Sequence, residues 1–130
     1  MIKVLIIDDS EIIRERLSEM LSKIENVEII GKAGFALEGL NLARSHKPRF
    51  VILDIRMPDI SGLDILGDIK KIDPAPVIVA LTNYPYPSYR KRCMKLGADY
   101  FFDKSSEFSK VRAVVMDRMA DVGAAEVIDL

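Results

Sequence analysis

Residues 50–62 read FVILDIRMPDISG. Four apolar residues, Phe50 to Leu53, run without a polar interruption into Asp54, and a loop carrying Pro58 and Gly62 follows. A continuous apolar run of this length, rather than one alternating with polar residues, is the pattern of a strand covered on both faces, as strands of parallel sheets are. The amphipathic stretch from Leu63 to Ile72 then reads as the helix that covers one face. A strand, a loop with a carboxylate at its start, and a helix form the unit from which the rest of the chain can be read.

The same unit recurs on both sides. Val4 to Ile7 is a short apolar run stopped by Asp8 and Asp9, after which Ser10 caps a helix whose Ile12, Ile13, Leu17, Met20, Leu21 and Ile24 face the core, ending near Asn26. Val27 to Ile30 give a second strand, broken by Gly31 and Gly34 before Leu37, Leu40 and Ala43 mark a second helix that Pro48 closes. Towards the C-terminus, Val77 to Leu81 form a fourth strand ending at Thr82, and the loop with Pro85 and Pro87 leads into a helix stopped by Gly97. Tyr100 to Phe102 are the fifth strand, Lys104 follows, and Ser105 or Ser106 caps a last helix with Phe108, Val111, Val115 and Met119 inward. Five strands alternating with five helices predict an α/β protein, a doubly wound three-layer sandwich on a five-stranded parallel sheet. The strand order 2-1-3-4-5 of the flavodoxin-like class is taken by analogy, since spacing alone does not set it.

Composition bounds the function. At 130 residues, 49% hydrophobic and 30% charged, the chain has the make-up of one folded domain rather than a disordered segment. Its 19 Lys and Arg against 20 Asp and Glu leave a net charge of −1, which argues against direct nucleic-acid binding and against attraction to an anionic membrane. One cysteine, Cys93, and one histidine, His46, exclude a disulfide framework or a Cys/His zinc site within the chain. The apolar start, Met1 to Ile7, is too short for a signal peptide or a span, so a cytoplasmic location is expected.

Parallel strands bring the residues that follow each apolar run to one edge of the sheet, where ligands of open α/β folds bind. Those residues are Asp8 and Asp9, Asp54, Thr82 and Lys104. Taken singly, each has an ordinary explanation: a helix N-terminus for the acidic pair, a strand-ending hydroxyl for Thr82, a solvated charge for Lys104. Together they crowd three carboxylates into one place, at a repulsion of several kcal/mol for an effective dielectric of about 20. Lys104 offsets part of it, and a hard divalent cation with oxygen ligands, Mg2+, offsets the rest. Asp54 beside a metal and an ammonium is placed to receive a phosphoryl group, with the Thr82 hydroxyl available to a phosphoryl oxygen.

The runs Ile7-Asp8-Asp9-Ser10, Leu53-Asp54-Ile55-Arg56-Met57-Pro58, Thr82, and Gly97-Ala98-Asp99 to Lys104 together resemble the receiver domain of bacterial response regulators, of the single-domain type. The resemblance covers residues 1–121 and leaves 122–130 as a short C-terminal tail. It implies that Asp54 is the phosphoacceptor and a metal ligand, that Asp9 binds Mg2+ directly and Asp8 through water, and that Arg56 contributes its backbone carbonyl. It further implies that Thr82 is the switch hydroxyl, Lys104 the phosphate-binding lysine and Phe101 the switch aromatic. The partners implied are a sensor histidine kinase or phosphotransfer protein as donor, and a downstream protein on the face of the fourth helix, fifth strand and fifth helix. Homodimerisation on phosphorylation is left open. The chain departs from the family in having Ser105 where many members have proline after the lysine. Arg56 and Tyr84, two residues beyond Asp54 and Thr82, occupy positions that in this family line the path of attacking water.

Three other readings compete. An aspartate-nucleophile phosphohydrolase would carry a second acid two residues after the nucleophile, where this chain has Arg56. A flavodoxin-like cofactor carrier would have a Gly-rich or Ser/Thr-rich loop after the first strand, which is absent. The chain could also be the receiver piece of a larger DNA-binding regulator. The expectation is a phosphoacceptor rather than an enzyme, with at most self-phosphorylation and self-dephosphorylation. The loop Tyr84, Pro85, Tyr86, Pro87 and Tyr89 reads either as a stiff connection to Thr82 or as a partner surface.

Overall fold

The computed structural model describes residues 1–128, with side chains described through Asp121. Strands and helices alternate: β1 (Ile2–Ile7), α1 (Glu11–Ser22), β2 (Val27–Ala33), α2 (Ala36–His46), β3 (Phe50–Asp54), α3 (Gly62–Lys70), β4 (Val77–Thr82), α4 (Pro87–Leu96), β5 (Tyr100–Asp103) and α5 (Lys110–Ile128). The sheet is parallel throughout, in the order β2-β1-β3-β4-β5, as expected by analogy. Among the described residues no helix is long and apolar enough to cross a membrane.

The apolar runs are continuous because the sheet is covered on both sides. Leu5, Ile7, Val51, Leu53, Ile78 and Ala80 pack against α2, α3 and α4 through Leu40, Leu66, Ile69 and Cys93. Their sequence neighbours Val4, Ile6, Phe50, Ile52, Val79 and Leu81 pack against α1 and α5 through Leu17, Leu21, Val111 and Val115. Successive strand residues thus serve two separate cores, which is the period-2 geometry of a strand read on both faces. Burial pushes the Cys93 thiol up to about 11, in keeping with an apolar filler rather than a nucleophile.

Several boundaries differ from the sequence reading. β2 does not stop at Ile30; it runs on to Ala33, with a register shift opposite Val4 and Leu5 where Gly31 sits. A Cβ at Gly31 would press on Leu5 and Leu42 at 3.1 and 3.2 Å, so the glycine admits α2 to the strand rather than ending it. α1 stops at Ser22, and Asn26, at φ 70, turns the chain into β2. Ile12 is not a core residue: it is 73% exposed in the first turn of α1, while Leu17 and Leu21 carry the buried face. α5 begins at Lys110, so neither Ser105 nor Ser106 caps it. His46 lies in the last turn of α2. Of the tail expected at 122–130, residues 129 and 130 lie outside the described residues, and the backbone of α5 continues to Ile128.

Two helix starts position the loops at the C-terminal edge of the sheet. Ser61 caps α3, accepting from the Leu63 N–H at 3.1 Å and donating its hydroxyl to the Ile55 carbonyl at 3.0 Å. α2 has no side-chain cap of its own at Phe35. Its first N–H groups, of Ala36 and Leu37, which have no partner within the helix, are instead taken by the carboxylate of Asp59, at 2.9 and 3.0 Å, from the β3–α3 loop. The Ala36 N–H bond is the main reason the Asp59 carboxyl is held below its ordinary range.

α3 approaches the end of β3 so closely that a Cβ at Gly62 would lie 2.7 Å from the Ile55 Cα. Gly62→Ala should therefore cost about 1–3 kcal/mol in urea unfolding. Gly67, where a Cβ would meet only Leu96 at 3.9 Å, should behave oppositely, Gly67→Ala stabilising by about 0.4–1 kcal/mol.

Candidate functional site

The C-terminal ends of β1, β3, β4 and β5 carry Asp8, Asp54, Thr82 and Lys104. The order β1-β3-β4-β5 brings them side by side, and an open cleft of about 500 Å³ lies in front of them, lined by Asp9, Asp54, Arg56, Tyr84 and Lys104. Asp54 is 4% exposed and Lys104 is 8% exposed, unusual for groups of full charge.

Lys104 holds the carboxylates together. Its Nζ donates to Asp54 Oδ2 at 3.0 Å and lies 2.6 Å from Asp8 Oδ2. The second contact is a close buried ion pair, so the ammonium compensates Asp8 Oδ2 as well. The other oxygens are tied to the backbone: Asp54 Oδ1 accepts from the Arg56 N–H at 3.0 Å and Asp8 Oδ1 from the Ser10 N–H at 2.9 Å. Arg14 reaches the Asp8 carbonyl at 2.7 Å and anchors the same turn.

The electrostatics follow from burial. Desolvation, then the neighbouring Asp8 charge, push the Asp54 carboxyl up to about 7 against the pull of Lys104 and the Arg56 N–H. For Lys104, burial alone would favour the neutral amine, but the Asp8 and Asp54 carboxylates more than offset it and raise its pKa.

Carboxylate oxygens of Asp8, Asp9 and Asp54 lie within 4.8 Å of one another. Three carboxylate oxygens at that spacing, two of them from buried residues and with one lysine between them, suit a hard divalent cation. Asp8 and Asp54 are buried whereas Asp9 is exposed at the cleft wall.

Thr82 and Phe101 stand behind the cleft rather than in it. Thr82 is fully buried, and its Oγ1 accepts from the Tyr84 N–H at 2.8 Å. Phe101 is 5% exposed and belongs to the core on the α2, α3 and α4 side, with the Arg90 guanidinium 5.9 Å from its ring. The Arg56 guanidinium lies over the Tyr84 ring at 4.4 Å, so the two residues noted beyond Asp54 and Thr82 form one stacked pair at the cleft mouth. In place of a proline after Lys104, the Asp103 carboxylate accepts from the Ser105 N–H at 2.9 Å and its hydroxyl at 2.8 Å, and this turn sets the backbone beyond the lysine.

Sequence reasoning missed Asp59 altogether. Its signal was indirect: Phe35 precedes α2 with no side chain able to cap it, so the cap had to come from elsewhere in the chain.

The family model of the response regulator receiver domain matches residues 4–116. Protein-glutamate methylesterase/protein-glutamine glutaminase 4 of Hahella chejuensis is 33% identical over 96% of this chain and 34% of its own length. Response regulator GacA of Pseudomonas aeruginosa is 33% identical over 82% of this chain and 50% of its own length. The chain thus spans about a third to a half of these curated relatives. Among solved structures, the CheX–CheY–BeF3–Mg2+ complex from Borrelia burgdorferi superposes with a TM-score of 0.77 at 28% identity, over 92% of this chain and 87% of that one. With the fold, the strand-end residues and a family match over most of its length in agreement, the chain belongs to the response regulator receiver domain family.

Proposed function

We propose that Asp54 is the phosphoacceptor of a phosphorelay, charged from the phosphohistidine of a sensor histidine kinase or phosphotransfer protein. The observation that carries this reading is the buried Asp8–Lys104–Asp54 arrangement, with its nucleophile-bearing member facing an open cleft. In the transfer, a carboxylate oxygen of Asp54 forms a bond to phosphorus as the bond to the donor's imidazole nitrogen breaks, and the imidazole leaves with the electron pair. Mg2+ bound by Asp8, Asp9, Asp54 and the Arg56 backbone carbonyl would supply positive charge against the carboxylates and the incoming phosphoryl group. The similar chain from Borrelia burgdorferi, solved with BeF3 and Mg2+, supports that choice of ion.

Lys104 moves its charge from the carboxylate pair to a phosphoryl oxygen. Thr82 turns its O–H towards another, giving up the bond its Oγ1 accepts from the Tyr84 N–H. That exchange pulls on the loop leading to α4, and Phe101 in β5 repacks with it, so the α4-β5-α5 face reports phosphorylation to a downstream protein. The unit that does this is residues 1–121, which contain the matched 4–116. The chain acts as a phosphoacceptor with at most self-phosphorylation and self-dephosphorylation. The methylesterase named in one relative is an activity of that longer protein.

Incubation with Mg2+ and acetyl phosphate, followed by intact mass, should add one phosphoryl group to the native chain and none to Asp54→Asn. Equal labelling of both would move the acceptor elsewhere. The Arg56–Tyr84 pair covers the cleft mouth at 4.4 Å and shields the phosphoryl group from water, so Arg56→Ala should shorten the phosphoryl lifetime several-fold in a decay assay. An unchanged lifetime would remove the pair from that role.

The raised Asp54 carboxyl also has a pH signature in the metal-free protein. Its folded pKa of about 7 exceeds the ordinary 3.8, so between these values the folded state binds more protons than the unfolded one. Stability contributed by this group therefore falls as pH rises through that window and levels off above it. With EDTA present, Asp54→Asn should melt above the native chain at pH 8, with the difference shrinking towards pH 4. A constant difference across that range would show that Asp54 is not destabilised by its surroundings.

A further inference from the structure

α4 is the least self-supported helix of the fold. Only Cys93 of its ten residues is buried, and Tyr86 at its N-terminus supplies no side-chain cap. Arg90, Lys91, Arg92 and Lys95 give it four cations and no acid, in a chain whose net charge is −1, leaving 15 cations against 20 acids elsewhere. Among the described residues none of the four lies within 4.0 Å of a carboxylate; Arg90 reaches only the Phe101 carbonyl, at 3.4 Å. Lys91 and Lys95, four residues apart on one helix face, are like charges that repel, and the first turn has no acid to relieve them. The arrangement costs the free helix stability, and an acidic partner would return it.

The geometry of the surface suits a peptide. Arg90 and Met94 are four residues apart along one edge of α4, and Lys91 and Lys95 make a parallel row beside them. Met94 is 40% exposed and Tyr86 is 57% exposed, so apolar contacts are available among the cations. Tyr84, Tyr86 and Tyr89 form a ladder with ring centroids 6.3 and 5.8 Å apart, running from the cleft mouth to α4. The first rung is held through its N–H by Thr82, so the ladder joins the phosphoacceptor edge to this surface.

We infer that the exposed face of α4 docks an acidic polypeptide segment carrying apolar residues: carboxylates on Arg90, Lys91 and Lys95, and apolar side chains on Met94 and Tyr86. This rests on the receiver reading for its coupling to phosphorylation and names the chemistry of the downstream partner. A nucleic acid fits less well, because the excess of acids over the rest of the chain repels a long polyanion, while a short acidic segment feels mainly the local cations within a Debye length of about 8–10 Å.

The test is fluorescence anisotropy of a labelled synthetic peptide of Glu, Asp and Leu titrated with the full chain, with and without Mg2+ and beryllofluoride. The comparison probes are the same peptide with Gln and Asn for its acids, and oligothymidylate. The acidic peptide should bind, more tightly with beryllofluoride; K91E/K95E should weaken it at least about tenfold, a loss of roughly 1.4 kcal/mol. K23E/R112E, on the α1–α5 side, should change it less than about twofold. Equal losses from both double variants, equal binding of the neutral peptide, or no binding at all would overturn the docking surface. Tighter binding of oligothymidylate through Lys91 and Lys95 would replace it with a nucleic-acid surface. Phosphoryl labelling of the same samples separates the two readings. Labelled native chain without peptide binding removes only the surface; peptide binding through Lys91 and Lys95 without labelling, or without a beryllofluoride effect, removes the coupling to Asp54.

Discussion

The ammonium of Lys104 set between the carboxylates of Asp8 and Asp54 is the constraint on which the functional edge depends. Two buried acids at the ends of β1 and β3 repel, and the lysine that compensates them comes from beyond β5, at the far side of the sheet. The crossing requires β4 between β3 and β5 and requires the Lys104 N–H to join the Thr82 carbonyl, at 2.8 Å, so that the chain turns over the edge at the right height. The buried charge is affordable only because three elements converge, and removing Lys104 would leave two desolvated carboxylates facing each other without a cation.

Around this ion pair the loops are held by side chains acting on backbone. Asp54 binds the Arg56 N–H, Ser61 the Ile55 carbonyl, Asp59 the start of α2, and Asp103 the Ser105 turn. These bonds leave the cleft preorganised, while on the other side Thr82 holds the Tyr84 N–H, Arg90 reaches the Phe101 carbonyl and α4 buries one residue, Cys93. Side-chain bonds to backbone are thus more numerous on the β3–α3 side of the cleft than on the β4–α4 side.

The segregation of charge follows the same division. The acids of the cleft need cations, and the chain supplies one buried lysine there, while Arg90, Lys91, Arg92 and Lys95 lie on α4, a helix without an acid. A nearly neutral composition thus conceals a buried acidic pair and an exposed basic helix, which net charge alone does not reveal.

The sequence by itself determined the alternation of strands and helices and the chemistry at the strand ends. Asp8, Asp9, Asp54, Thr82 and Lys104 were legible there because a buried strand announces itself by an unbroken apolar run, and the next residue must stand at the sheet edge. What only the tertiary structure decided depends on contacts between distant segments: that Asp8 rather than Asp9 pairs with Lys104, that Asp59 caps α2, that Arg56 stacks on Tyr84, that Ile12 faces solvent. Local periodicity records which face of an element is apolar. It holds no record of which far residue satisfies an open N–H or a buried charge, because that partner is selected by strand order and loop geometry once the sheet has formed.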